Sequence, residues 1–460
     1  MDPELSIEYR SAGWFTLLLV LVNLVGDGWP GRPTSGTHQF FLLPVTVLFI
    51  AGTVALLFVR DRGGSVWSPV RAVRLAFLFE LVATGLFLYE CRHFVAQGYR
   101  LYPAAVAVVL GVALLGLGRV AFGRMVGPVW LLGVAVGSYI AGMLLAIASF
   151  PLTYLRSDMM PVIQWADTNL LHGVSPYTTM YVGGRVYDFP YLPGMLVAYL
   201  PLVAAHLDMR FGSMLYVAGC AWLIYAMARK DRRLEVAVLL GLFILCPFLQ
   251  YRHELYIPPH WFAMVLSFVL MQRRRFGWAA FVFGVGMGIY QFSWILFPFF
   301  LLNGLRRRGW GEVLKLTLIG AAGMLVMVGP FLASASKRIA SNTVGQWAGS
   351  MHANSDPMNL SYWVTYAIHP DKLLRLQAVL MVVIFGYCFF RGRCGDVADT
   401  LRWMVAALTL FILCNVMVDG YFYLMLLVPM LVYTCVANGW WSEPADYVSA
   451  GRTRAVQVPS

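Results

Sequence analysis

The sequence predicts an all-α, polytopic membrane protein, and three observations carry that prediction. Hydrophobic residues make up 60% of the 460 residues and charged residues only 12%, whereas a soluble chain usually carries about 25% charge. Apolar runs of about 17–22 residues recur, each able to cross a hydrocarbon core about 30 Å thick. Basic residues cluster between these runs, as in cytoplasmic loops. Topology therefore explains the net charge of +12, and no nucleic-acid partner is expected.

The apolar runs predict about fourteen membrane helices. They are the runs 12–28, 39–59, 73–92, 102–121, 127–150, 211–228, 234–250, 259–272, 277–291, 293–305, 313–334, 374–391, 402–418 and 421–438. Placing the basic clusters on the cytoplasmic side also puts both termini there. The stretch 191–206 is apolar but is interrupted by Pro193 and Pro201. We interpret it as a re-entrant or interfacial helix.

Three polar segments then fall on the outer face of the membrane. These are the segments 157–193, 250–259 and 333–373. The first holds three carboxylates, Asp158, Asp167 and Asp188, in a chain where carboxylates are rare. Enzyme chemistry is therefore expected in the first segment.

The seven cysteines lie in or beside apolar runs and form no CxxC pair, which argues against a disulfide framework or a metal site.

Asp158 is the carboxylate placed best for catalysis. It follows the apolar run 127–150 closely, which puts it at the boundary between membrane and water. A partly desolvated carboxylate at this boundary can act as a general base toward an acceptor hydroxyl. The alternative is an ordinary loop aspartate that caps the next helix.

The residues around Asp158 form a recognisable pattern. It comprises Ser157-Asp158, Ala166, Leu170-Leu171, Gly173, Ser175-Pro176-Tyr177, Tyr187 and Phe189-Pro190-Tyr191-Leu192-Pro193. This pattern resembles the first outer loop of the GT-C superfamily of membrane glycosyltransferases. It is closest to the branch that uses polyprenyl-phosphate mannose or related lipid-linked sugars, with mannosyl and arabinosyl transferases as members. Two features depart from the family: residues 159–162 lack the usual aromatic residue, and Pro190 and Pro193 are not adjacent.

The resemblance implies roles for residues further along the chain. Asp158 takes the position of the catalytic base. Gln291 stands where the family often has a lysine, and the triplet Asn359-Leu360-Ser361 resembles a family Asn-x-Ser element. Candidate substrate-binding residues are Arg252, His253, Glu254, Lys337 and Arg338, with Tyr177 and Tyr421 for sugar stacking and Asp167 and Asp188 for acceptor contact or loop structure. The pair His253 and Glu254 is equally compatible with a satisfied loop pair, and Lys337 and Arg338 with helix-end anchors.

The function that follows is inverting transfer of a sugar from a polyprenyl-phosphate donor to a lipid or glycan acceptor. It would take place at the outer face of a bacterial inner membrane, with no cofactor and no required metal. The predicted division is 1–126 for accessory membrane helices, 127–440 for a GT-C-like catalytic core, and 441–460 for a cytoplasmic tail. A polymerase or ligase of lipid-linked glycans is the main alternative. A membrane transporter is weaker, because no inverted repeat is evident.

Overall fold

The computed structural model describes residues 98–122, 127–153, 159–182, 185–245, 254–345, 369–415 and 424–442, together with isolated positions. Within these ranges lie thirteen α-helices and one two-stranded antiparallel sheet. The helices are α1 Leu101–Ala121, α2 Pro128–Ser149, α3 Met159–Leu171, α4 Pro193–Ala204, α5 Arg210–Ala226, α6 Arg233–Ile244, α7 Pro258–Gln272, α8 Phe276–Ile289, α9 Ser293–Arg308, α10 Trp310–Ile339, α11 Pro370–Phe390, α12 Val397–Cys414 and α13 Leu424–Ala437. The strands are β1 Met180–Val182 and β2 Arg185–Tyr187.

The all-α prediction is confirmed, with a small hairpin added in the first polar segment. Eleven of the helices overlap predicted membrane runs, while α3 and α4 belong to the first polar segment and the stretch 191–206. Among the described helices, four are long and apolar enough to cross a membrane: α2, α10, α11 and α12. The shorter apolar helices do not confirm the full number of spans. The predicted runs 12–28, 39–59 and 73–92 fall largely outside the described residues.

An aspartate cap and a glycine explain where some of the helices begin and end. α12 starts earlier than its apolar run because Asp396 caps it, accepting a hydrogen bond from the Asp399 backbone N–H at 2.7 Å. Gly309 has a φ of +80° and separates α9 from α10. α10 contains 30 residues, which corresponds to a length of about 45 Å. Its observed bounds, Trp310–Ile339, extend beyond the predicted apolar run 313–334 at both ends.

Glycines bring α8 and α10 into backbone contact. A Cβ atom added at Gly284 would overlap the carbonyl oxygen of Gly320, and one added at Gly323 would overlap that of Phe281. A Cβ at Gly277, near the start of α8, would meet Ile319 at 3.6 Å, and one at Gly288, near its end, would meet the Cβ of Met327 at 2.7 Å, so the contact advances in the same direction along both helices. Small residues allow this close packing of parallel helices.

The basic clusters predicted for the cytoplasmic side meet at one end of the helix bundle, which we call the cationic end. The Arg229 backbone N–H donates to the Trp440 carbonyl oxygen at 2.8 Å. Arg273 Nε lies 3.2 Å from Met227 Sδ, and Arg306 donates to the Phe389 carbonyl oxygen. The helix termini that carry the clusters 229–233, 273–275, 306–308 and 391–393 therefore share one face, as the charge pattern predicts.

The opposite helix termini meet at a second face, which we call the aromatic end. It comprises the ends of α2, α8, α10 and α12 and the starts of α5, α7 and α9. Contacts across it join Phe150 to Arg210, Tyr177 to Arg338, Tyr191 to Tyr256, and Phe292 to Phe411. The described parts of the three predicted outer segments all lie at this end.

Candidate functional site at the aromatic end

The first polar segment starts with helix α3, whose end is fixed by a glycine. Gly173 has a φ of +74°. Its N–H bonds to the Leu170 carbonyl oxygen at 3.0 Å, and the Val174 N–H bonds to that of Asn169 at 2.9 Å. This is the Schellman pattern that ends helices at a left-handed glycine. The turn sends the chain toward the buried Tyr177.

A β-hairpin follows, in which Val182 pairs with Arg185. The sequence between them is Gly183-Gly184, a dipeptide typical of two-residue hairpin connections. Asp188 follows the second strand and is exposed. Its Oδ1 accepts a hydrogen bond from Thr179 Oγ1 at 3.1 Å. This hydrogen bond joins the residue before β1 to the residue after β2.

Tyr177 connects the hairpin region to the helix bundle. Its hydroxyl donates to the Tyr191 carbonyl oxygen at 2.9 Å, and its ring meets that of Phe189 edge-on at 5.3 Å. Its carbonyl oxygen accepts from Arg338 Nη1 at 3.0 Å. Tyr177 is therefore a packing residue, and Arg338 uses one nitrogen to hold the loop against α10. Lys337 beside it is exposed.

A row of aromatic rings runs from this loop across the end of the bundle. The centroid distances are 4.5 Å for Tyr191 to Tyr256, 5.9 Å for Tyr256 to Tyr290, 5.2 Å for Tyr290 to Phe292, and 5.5 Å for Phe292 to Phe411. The hydroxyl oxygens of Tyr256 and Tyr290 are 3.2 Å apart and share a hydrogen bond. The row therefore joins the first polar segment, the second polar segment, the α8–α9 junction and the end of α12.

Glu254 lies where the second polar segment enters this row. It is 3% exposed. The backbone after it is fixed by two hydrogen bonds, from Ser213 Oγ to the Leu255 carbonyl oxygen at 3.3 Å and from the Tyr199 hydroxyl to that of Tyr256 at 3.4 Å. The carboxylate of Glu254 is therefore held inside the protein by a fixed turn.

His260 and Ser293 form a polar pair beneath the aromatic row. His260 Nε2 and Ser293 Oγ are 2.6 Å apart, and the imidazole lies 5.5 Å from the Tyr290 ring. Gln291 occupies the α8–α9 junction next to this pair, and no described residue hydrogen-bonds to its Oε1. Sequence spacing gave no reason to single out His260, because its partner lies 33 residues away.

Asp167 is fully buried on α3. Neither of its carboxylate oxygens finds a hydrogen-bond partner in the part of the chain that the structure describes. Burial raises the pKa of Asp167 to about 8, because an apolar environment disfavours the charged form. With this raised pKa the carboxyl favours its protonated form at neutral pH, which is able to donate a hydrogen bond as well as to accept one.

Arg210 is a buried cation that sequence reasoning missed. It has no exposed surface and pairs bidentately with Asp208, from Nε at 2.9 Å and from Nη2 at 2.6 Å. Nη2 also donates to the Phe150 carbonyl oxygen at 2.8 Å. Nη1 makes no hydrogen bond to a described residue. The signal was present, since Asp208 and Arg210 are the only Asp, Glu, Lys or Arg between Asp188 and Arg229.

The structure thus brings a part of the predicted site together. Tyr177, Arg338, Glu254 and Gln291 belong to connected elements at the aromatic end, together with Lys337 and the segment of Asp167 and Asp188. The remaining candidates fall outside the described residues: Asp158, Arg252, His253, Asn359 and Tyr421. Among the described residues, no three His, Cys, Asp or Glu side chains converge as a metal site would require.

Comparison with known proteins adds no further assignment. No family model matches the chain, and no curated protein or solved structure matches it.

Proposed function

We propose that this protein is an inverting glycosyltransferase of the GT-C type, with a core over 127–440 and about fourteen membrane spans. It transfers a sugar such as mannose or arabinose from a polyprenyl-phosphate carrier to a lipid or glycan acceptor. The reaction takes place on the outer side of a bacterial inner membrane. The main support is that polar segments far apart in sequence meet at the aromatic end, opposite the basic clusters.

The chemistry assigned to Asp158 is that of a general base. Its carboxylate accepts the acceptor hydroxyl proton while that oxygen forms a bond to the anomeric carbon. The bond from the anomeric carbon to the phosphate oxygen breaks, and its electron pair leaves on polyprenyl phosphate. Attack opposite the leaving group inverts the anomeric centre.

The leaving phosphate requires cations on the same face. Arg252 is one candidate by sequence. Arg338 retains further guanidinium N–H groups after its bond to Tyr177, since arginine carries five donors. Lys337, exposed beside it, supplies a second charge. Aromatic rings such as that of Tyr191 provide faces on which a sugar ring can stack.

The test is transfer by the Asp158→Asn variant in proteoliposomes supplied with a synthetic polyprenyl-phosphate sugar. Loss of a general base is expected to lower the rate by about 10²–10⁴-fold, with the amount of folded protein unchanged. The matched control is Asp231→Asn, an exposed aspartate at the cationic end, which should transfer as the wild type does.

Two results would contradict the proposal in different ways. Transfer at the wild-type rate by Asp158→Asn would remove Asp158 as the base. Failure of the wild-type protein with a panel of polyprenyl-phosphate sugars, combined with joining of diphosphate-linked oligosaccharides, would identify a polymerase or ligase instead.

A further inference from the structure

A hollow at the cationic end lies between the start of α8, the first turns of α10 and the end of α9. Its volume is about 410 Å³. Four basic side chains and one acidic side chain line it: Arg274, Arg275, Arg308, Lys315 and Glu312. The lining therefore carries an excess of three positive charges. Nothing in the proposed transfer reaction uses this hollow, because it lies at the opposite end of the bundle.

Three of the basic side chains of the hollow, those of Arg275, Arg308 and Lys315, keep donors for a ligand. Glu312 lies 3.7 Å from Arg308 Nη1 and 3.8 Å from Lys315 Nζ, distances too long for good hydrogen bonds. The side chains of Arg308 and Lys315 are more than half exposed. Within the described ranges, neither they nor Arg275 donate a side-chain hydrogen bond. Glu312 thus offsets some charge without occupying the donors.

The backbone adds to this preference for an anion. α8 begins at Phe276, directly at the hollow, and no side chain caps its N-terminus. The first N–H groups of a helix have no partner within the helix, and the helix dipole places partial positive charge there. A phosphate group suits both features.

One wall of the hollow is apolar and is formed by Trp278, Phe281 and Ile319. Trp278 is 66% exposed and meets Phe281 edge-on at 6.3 Å. Beside the hollow, Leu314 and Leu318 on the same α10 turns as Lys315 are also exposed. Tryptophan favours the membrane–water interface, and exposed leucines favour acyl chains. A soluble anion would have no use for this apolar wall.

We propose that this hollow binds the phosphate headgroup of an anionic phospholipid in the cytoplasmic leaflet. Arg275, Arg308 and Lys315 contact the phosphate oxygens, and Trp278 lies against the glycerol and upper acyl chain. Basic recesses between helices on this side of a membrane recognise such headgroups. The proposal holds whether or not the aromatic end transfers sugars.

The experiment measures lipid retained by the full-length protein in a neutral detergent, using native mass spectrometry. Phosphatidylglycerol and phosphatidylcholine with identical acyl chains are the probes. The wild type should retain phosphatidylglycerol preferentially. The double variant Arg275→Gln/Lys315→Gln should lose about thirtyfold in affinity for it, since each basic residue near an anionic leaflet contributes about a factor of five.

The control is Arg391→Gln/Arg393→Gln, which removes the same charge from exposed positions at the same end and should bind as the wild type does. Equal losses in both double variants would show a diffuse charge effect and overturn the proposal. Glu312→Gln gives a test that does not depend on a loss of binding. Removing the acidic side chain of the hollow should strengthen the retention of phosphatidylglycerol, and weaker retention would contradict the proposal. Full displacement of phosphatidylglycerol by an equal concentration of inorganic phosphate would reveal a soluble-anion site and overturn the lipid assignment.

Discussion

At the aromatic end Asp167 and Arg210 are fully buried, whereas at the cationic end Arg229 and Asp231 form an ion pair of which both members are about half exposed. The difference is one of solvation. A buried charge must be compensated by partners inside the protein, so its position is energetically demanding. An exposed ion pair contributes little to the free energy of unfolding, so its members are easily substituted. The cationic end therefore carries solvated charge, while the aromatic end is the place where protein structure maintains unusual protonation and charge.

The largest effect that this contrast predicts is on the pH dependence of stability, and it depends on Asp167. Its folded-state pKa of about 8 lies above the ordinary value of 3.8, so the folded protein holds a proton that the unfolded chain releases between these values. The free energy of unfolding should then fall by several kcal/mol as the pH rises through this window. In Asp167→Asn this fall should vanish, as read from thermal unfolding midpoints at pH 5, 6, 7 and 8.

The matched variant for this series is Asp188→Asn, which changes an exposed carboxylate on the same segment. It should keep the fall in the unfolding midpoint between pH 5 and pH 8, because Asp167 is intact in it. If the difference between Asp167→Asn and the wild type does not change over this pH range, the folded protein keeps Asp167 charged and the contrast does not hold for this residue.

The two ion pairs provide a direct comparison between the ends. Asp208→Asn leaves the buried Arg210 without its counter-charge and should destabilise the protein by about 3–5 kcal/mol. Asp231→Asn removes the same group from an exposed pair and should leave the unfolding midpoint unchanged. Thermal unfolding of both variants at pH 7 in one detergent measures this. Similar midpoints for the two variants would show that burial of Arg210 is not costly.

The glycine contact between α8 and α10 predicts a smaller effect that concerns both ends together. In Gly284→Ala the new methyl group meets the Gly320 backbone, so the helices must separate, at a cost of about 1–3 kcal/mol. Gly137→Ala on α2, where a Cβ meets nothing within 4 Å, should instead stabilise by about 0.5–1 kcal/mol. Unfolding midpoints that shift in the same direction would argue against a tight α8–α10 contact.

The sequence predicted the helices well because membrane helices are coded by local hydropathy. α2 was expected over 127–150 and occupies Pro128–Ser149. Ends set by polar residues were less accurate: α10 includes Lys337 and Arg338, which favour helix as strongly as apolar residues do. The β-hairpin formed by β1 and β2 was not predicted, although the Gly183-Gly184 dipeptide between the strands is a sequence signal for a hairpin.

The candidate site was harder to predict, since it depends on contacts between distant residues. Hydropathy placed the three polar segments on one side, and the structure joins their described parts. Nothing local to Arg338 indicates that it would bind the Tyr177 carbonyl oxygen, 161 residues away. Nor does the pattern around Asp167 reveal full burial, because helix α3 presents that face to the protein only after the fold has formed.

α10 has a length of about 45 Å, which exceeds the hydrocarbon core of about 30 Å. One continuous helix thus carries Lys315 toward the cationic end and Arg338 at the aromatic end, and glycine contacts bind α8 to it. Such a helix meets a thinner bilayer by tilting more steeply, and α8 must tilt with it. We therefore expect the thickness of the bilayer to act on both ends of this protein at once, because α10 connects them.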